Sequence, residues 1–205
     1  MNTAMDEFRK ITSDWIVQTS IASCLPTCLT NIAREAKKHR YNLCDLNYTF
    51  KQICEVTKYS RFRGTSWYLA RDGVRKKLSD DKYKQWSLED REGKGLKIKD
   101  IQNVISSDKC SYPIISLGAE YVRDMYDEKL EGFPQTWMEH SIVILSCTET
   151  ESIIHDPYAG VKDREPLLVL NTDKLLKYWM YAATSNKMMW LEMMLWPIEE
   201  VIGGG

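Results

Sequence analysis

Gln18-Thr19-Ser20-Ile21-Ala22-Ser23-Cys24-Leu25-Pro26-Thr27-Cys28-Leu29, continuing through Ile32 to Ala36, is the stretch on which the fold reading turns. Ser23 is a residue type that caps helices, and Pro26 falls in the first turn, where its missing N–H costs nothing. Leu25, Cys28, Leu29, Ile32 and Ala36 then recur at the spacing of one buried helical face. This spacing predicts a helix over 23–38, buried along one side, with Cys24 at its start. A helix start offers partial positive charge and free backbone N–H groups, and both stabilise a thiolate.

The same periodicity predicts helices over 45–59 and 65–78. Between 80 and 95 the pattern dissolves into charge and glycine; 96–98 reads as a short strand and 99–106 as a short helix. Beyond that point the chain changes character. Runs at 113–117, 140–147 and 151–155 are β-branched or apolar, the last two separated by Thr148, Glu149 and Thr150 as in a hairpin. A helix is expected over 172–181, while 187–196 fits a strand or a helix equally. Helices first and an antiparallel sheet after them make an α+β domain. With 205 residues, no internal repeat and no low-complexity linker, residues 1–205 read as one domain.

Charge and composition narrow the function. Twenty-eight basic residues against 29 acidic ones give a net charge of -1, so the chain as a whole has no pull towards phosphate backbones or anionic membranes. The basic stretch from Arg71 to Lys99 is interleaved with acids and reads as a solvated face. Neither nucleic acid nor membrane is expected as a partner. The longest uncharged stretch, 15–33, is too polar to span a bilayer, and the mixed charges of the first ten residues do not make a secretory signal. The six cysteines therefore read as thiols in a reducing, cytoplasmic compartment. Cys24 and Cys28 lack a second ligand pair, so neither a metal nor another cofactor is expected.

A thiolate nucleophile needs an imidazole to accept its proton, a group to orient that imidazole, and donors for the developing oxyanion. Gln18 lies six residues before Cys24, near enough to share an oxyanion with the Cys24 backbone N–H. His140 opens the run Ser141, Ile142, Val143, Ile144, Leu145. Asp156 ends the following strand, directly before Pro157, and a hairpin would bring it beside His140. His155 competes for the base role, but strand alternation points it away from Asp156. His39 reads as a solvated helix-end cation, and Cys28 as core. Singly, each candidate is an ordinary core, turn or surface residue; in this order and spacing, Gln18, Cys24, His140 and Asp156 read as a catalytic set.

Those residues, with Tyr112-Pro113-Ile114-Ile115, His140-Ser141-Ile142-Val143-Ile144 and Ile154-His155-Asp156-Pro157, resemble the papain-like cysteine peptidases of the bacteriocin-processing, double-glycine type. The resemblance runs from Gln18 to the helix containing Tyr178 and Trp179. It implies a papain-like fold, no metal, Cys24 as nucleophile, His140 as base, Asp156 as its orienter and Gln18 in the oxyanion hole. Two features depart from that family. Leu25 and Pro26 follow the cysteine where glycine is usual, and the 118–139 segment is long, with Tyr121, Tyr126, Phe133 and Trp137 among acids. It reads as a lid or acidic recognition loop, or as a solvated insertion. The family's transporter-fused members carry membrane helices and a nucleotide-binding domain that this sequence lacks, so export of a leader peptide is not implied.

The function expected is a soluble cysteine peptidase acting on a peptide or protein, with cleavage after glycine pairs implied by the resemblance. A peptidyl transferase or conjugating enzyme using the same thioester stays open, as does an inactive peptide-binding module. The terminal Gly203, Gly204 and Gly205 read as a self-substrate, a stump of self-processing or a cloning remnant.

Overall fold

Cys24 is the first residue of a 16-residue helix, Cys24–His39, whose Leu25, Cys28, Leu29, Ile32 and Ala33 are all buried. This computed structural model describes residues 3–18, 20, 22–39, 48–61, 64–80, 86–127, 139–180 and 186–194. In chain order the elements are α1 (Thr3–Ile11), α2 (Cys24–His39), α3 (Phe50–Val56), α4 (Trp67–Asp80), β1 (Trp86–Glu92), α5 (Ile98–Ser106), β2 (Ile114–Leu117), α6 (Ala119–Tyr126), β3 (His140–Cys147), β4 (Glu151–His155), a 3-10 turn (Pro157–Lys162), β5 (Leu167–Asn171), α7 (Thr172–Met180) and β6 (Lys187–Met193). The fold is α+β.

The strands form one six-stranded antiparallel sheet in the order β1-β6-β2-β3-β4-β5. Side-chain alternation splits its residues between two apolar layers. Ile114, Val143, Ile153, Met189 and Leu191 pack with α2, α3 and α4. Ile115, Ile142, Ile144, Ile154 and Met188 pack with α5, α6 and α7. Each fully buried aliphatic side chain contributes roughly 1.5–3 kcal/mol relative to exposure, so the sheet is held from both sides and its strand ends are fixed in place.

Several elements differ from the sequence expectation. The stretch 80–95 contains strand β1, because Trp86 and Leu88 alternate inward while Ser87, Glu89 and Asp90 do not. As an edge strand it needs few apolar residues, and its charges discourage pairing with other chains. The expected strand at 96–98 is instead the entry to α5, where the side chain of Asp100 accepts from Lys97 N at 2.8 Å. The expected helix over 45–59 is described from Phe50, where Thr49 and Gln52 make a reciprocal capping box. The undecided run at 187–196 is strand β6 as far as Met193. Helices α1 and α6 and strand β5 have no counterpart in the sequence expectation. The C-terminal glycines, with 195–205, and the segment 128–138, with Phe133 and Trp137, lie outside the described residues.

One glycine records how tightly α3 and α4 meet. A Cβ at Gly73 on α4 would fall 1.9 Å from the Val56 carbonyl oxygen at the end of α3. By helix propensity alone Gly73→Ala would stabilise the protein by about 1 kcal/mol. A backbone atom cannot swing aside as a side chain would, so the clash dominates. We expect Gly73→Ala to lose roughly 1–3 kcal/mol in urea unfolding; an unchanged or raised midpoint would contradict this packing.

Candidate active site

The loop before α2 is fixed at several points. Asn31 on α2 accepts from Ile16 N and donates to Ile16 O, each at 2.9 Å, clamping the incoming chain against the helix. Gln18 N donates to Pro157 O at 3.1 Å, and Gln18 Nε2 donates to Ser20 O at 2.9 Å. Ser23 sits at the cap position: its carbonyl accepts from Thr27 N at 3.0 Å, while its hydroxyl donates back to Ser20 O at 2.9 Å. Gln18 is buried and thereby tied both to the turn that begins at Asp156 and to the turn that delivers Cys24. One N–H of its amide is committed to Ser20, leaving the second, and its Oε1 has no partner among the described residues.

Strand register brings the other two candidates together. Val143 pairs with His155 and Ile144 with Ile154. One residue beyond, Asp156 falls on the face of Ile142 and His140. His140 Nε2 lies 2.7 Å from Asp156 Oδ1. The imidazole's remaining nitrogen, Nδ1, is the one left for the hydrogen bond that His140 shares with Cys24. His155 points the other way, with its ring edge-on to Trp15 at 4.9 Å between centroids. Burial holds His155 down to about 4, outweighing the nearby Asp156 charge, so it is neutral and outside the site.

Asp156 has no exposure to solvent, and the structure surrounds it with donors. Oδ1 accepts from His140 and from Tyr158 N at 2.9 Å; Oδ2 accepts from Tyr121 Oη at 2.7 Å and Tyr126 Oη at 2.5 Å. Burial by itself pushes the Asp156 carboxyl up, but His140 and the two phenols outweigh it and hold the group below its ordinary value. Tyr121 also stacks on the His140 ring, 5.6 Å between centroids and 8° from parallel. Tyr121 and Tyr126 escaped sequence reasoning as site residues. Their only signal was aromatic residues within an acidic stretch, which says nothing of a shared carboxylate.

Electrostatics at Cys24 follow from these contacts. Burial raises a thiol, yet the hydrogen bond and charge of His140, with backbone hydrogen bonds from Ser141 and Leu25, bring Cys24 below its ordinary value. The first turn of α2 carries no acidic residue to cancel the positive end of the helix. For His140, burial lowers the imidazole, but Asp156 and then Cys24 raise it to about 10. Cys28, one turn on, donates through Sγ to Ser141 O at 3.3 Å, and burial pushes its thiol well up. Leu25, directly after Cys24, is buried in the core beneath α2. Cys24, Cys28, Cys54, Cys110 and Cys147 are all free thiols. Among the described residues no three His, Cys, Asp or Glu side chains converge to hold a metal, and no helix is long and apolar enough to cross a membrane.

No family model matches the chain, and no curated protein matches it. Solved structures do. The peptidase domain of Streptococcus ComA, a bifunctional ABC transporter of a quorum-sensing pathway, is 16% identical over 87% of this chain and 97% of its own, with a TM-score of 0.51. A double-glycine-motif protease from an AMS/PCAT transporter, solved with its leader peptide, is 11% identical over 87% and 90%, at a TM-score of 0.51. A protein of Bacillus anthracis described as a C39-like peptidase is 12% identical over 90% and 97%, at 0.56. The chain therefore has the papain-like α+β fold of C39 peptidase domains.

A lowered thiol beside a raised imidazole leaves a pH window in which the pair is thiolate and imidazolium. Iodoacetamide should alkylate Cys24 with a low-pH limb below the roughly 8.5 of a free thiol. Asp156→Asn removes the charge that raises His140 and should move that limb upward. A wild-type limb at the free-thiol value would refute this electrostatic reading.

Proposed function

We propose that this chain is a cysteine peptidase with Cys24 as nucleophile, His140 as proton carrier, Asp156 as orienter and Gln18 as an oxyanion donor. The observation that carries this reading is the buried chain of contacts from Cys24 through His140 to Asp156 at a helix start.

The Cys24 thiolate attacks the scissile carbonyl carbon; the C–S bond forms and the carbonyl π pair moves onto oxygen. The oxyanion is held by the free N–H of the Gln18 amide and by the Cys24 backbone N–H at the start of α2. His140 passes its Nδ1 proton to the leaving amine as the C–N bond breaks, leaving a thioester. The neutral imidazole then takes a proton from water, the hydroxide adds to the thioester carbon, and the acid leaves as Cys24 is released. Throughout, Asp156 keeps Nε2 protonated and the ring in plane.

The likeness of fold to a double-glycine protease solved with a leader peptide supports a peptide substrate. Cleavage after a glycine pair is the first specificity to examine. The free thiols favour a reducing compartment, the cytoplasm, as its place of work.

Incubation with a peptide library containing Gly-Gly and Gly-Ala pairs, read by mass spectrometry with and without an added amine, tests the proposal. Wild-type protein should release free carboxyl products, most readily after Gly-Gly, and Cys24→Ala should lose roughly 1000-fold or more of the rate. Cleavage that survives in Cys24→Ala would overturn it, as would a wild-type protein that alkylates at Cys24 yet cuts nothing. Amine adducts in place of free acids would turn the assignment towards acyl transfer.

A further inference from the structure

We propose that helix α6 is a positioning element of the site, acting through Tyr121 and Tyr126: the two hydroxyls fix Asp156 Oδ2, and the Tyr121 ring fixes the plane of the His140 imidazole. The inference rests on the peptidase reading and assigns work to a segment which that reading does not use.

A carboxylate turns easily about its last torsion, where the preference is broad and two-fold. Oδ1 has to stay on His140 Nε2 if Nδ1 is to stay on Cys24. The Tyr158 N–H at 2.9 Å holds Oδ1 locally. It does not by itself prevent rotation, because Oδ2 could take the same bond after a half-turn. Tyr121 and Tyr126 remove that freedom, since two hydroxyls at 2.7 and 2.5 Å saturate Oδ2 from one helix. Burial and then the Asp156 charge push both phenols up, so both stay protonated donors at any working pH. The near-parallel ring of Tyr121 lies against the imidazole from one side, and Tyr158 meets it edge-on at 6.0 Å.

The helix is itself held. Tyr178 on α7 packs edge-on to Tyr121 at 5.4 Å and donates to Asp124 Oδ2 at 3.0 Å. Arg164, just past the 3-10 turn, donates to Met125 O at 2.9 Å and lies 5.6 Å over the Tyr126 ring. Among the described residues, the ionisable groups that interact with Asp156 are His140 from β3, Tyr121 and Tyr126 from α6, its chain neighbour His155 from β4, and Cys28 from α2, while Arg164 acts on Tyr126. Removing a phenol leaves the carboxylate with fewer donors, which raises its proton affinity and frees its rotation.

Tyr121→Phe and Tyr126→Phe keep ring and volume while deleting a hydroxyl. Each should lower kcat about tenfold, as expected for a hydrogen bond to a charged acceptor, with KM within about twofold. Each should also move the low-pH limb of Cys24 alkylation upward, and the double variant should do both more strongly. Tyr121→Leu, which also loses the stacked ring, should fall below Tyr121→Phe. A purely structural role would lower Tm while leaving kcat and the alkylation limb at wild-type values, and that result in the two single variants overturns the proposal. Should the double variant fail to fold, Tyr126→Phe decides by the same readouts. Asp156→Asn run in parallel separates the failures: if it shifts the limb and the Phe variants do not, only the role of α6 falls. If Cys24→Ala still cuts peptide, the peptidase reading falls while the alkylation limb still reports on the tyrosines.

Discussion

A carboxylate shut away from water sets the terms for the rest of this structure. Burying Asp156 as an anion carries an effective penalty of several kcal/mol, which is offset only if every lone pair meets a donor. Four donors do so: the His140 ring, the Tyr158 amide and the hydroxyls of Tyr121 and Tyr126. They come from β3, from the turn after β4 and from α6, so three separate parts of the chain must meet at one point. The charge held there raises His140, and the charged imidazole in turn lowers Cys24. The raised imidazole and the lowered thiol are both consequences of one anion placed in a low-dielectric site.

The two histidines near that anion show how much depends on side-chain direction. His155 is its neighbour in sequence, yet strand alternation turns it towards Trp15 on the opposite layer, where burial keeps it neutral. His140 is sixteen residues away in the chain and shares its face, so it takes the hydrogen bond and the charge. A slip of one residue in the register of β4 against β3 would turn Asp156 to the Trp15 layer and away from His140. The apolar residues that fix this register, Val143 and Ile153 in one layer and Ile144 and Ile154 in the other, therefore support the site from within the core.

The main frame was legible in the sequence because its signals are local. Helix α2 could be read from the spacing of Leu25, Cys28, Leu29 and Ile32, and strands β3 and β4 from their apolar runs. The β3–β4 hairpin then brought His140 and Asp156 together by reach alone. Edge strand β1 stayed hidden because only Trp86 and Leu88 mark its inner face, and β5 because Val169 is exposed and Leu168 half-buried. Helix α6 is the larger omission. Its acids and aromatics read as a lid or acidic recognition loop or as a solvated insertion, whereas Tyr121 and Tyr126 turn inward to a carboxylate about thirty residues downstream, a long-range pairing that no periodicity encodes. The placement of Gln18 was legible only as a spacing from Cys24; what seats it are the Asn31 clamp and the Pro157 carbonyl.

With Asp156 as an anion at its Nε2, His140 should stay charged in the resting protein. The sequence contains three histidines, so nitrogen-15 NMR of histidine-labelled protein at neutral pH reads it directly. His140 should carry protons on both ring nitrogens at pH 7 and lose one of them only towards about 10, while His155 stays neutral down to about 4. A His140 ring that is neutral at pH 7 and titrates near the ordinary value of about 6.5 would contradict it.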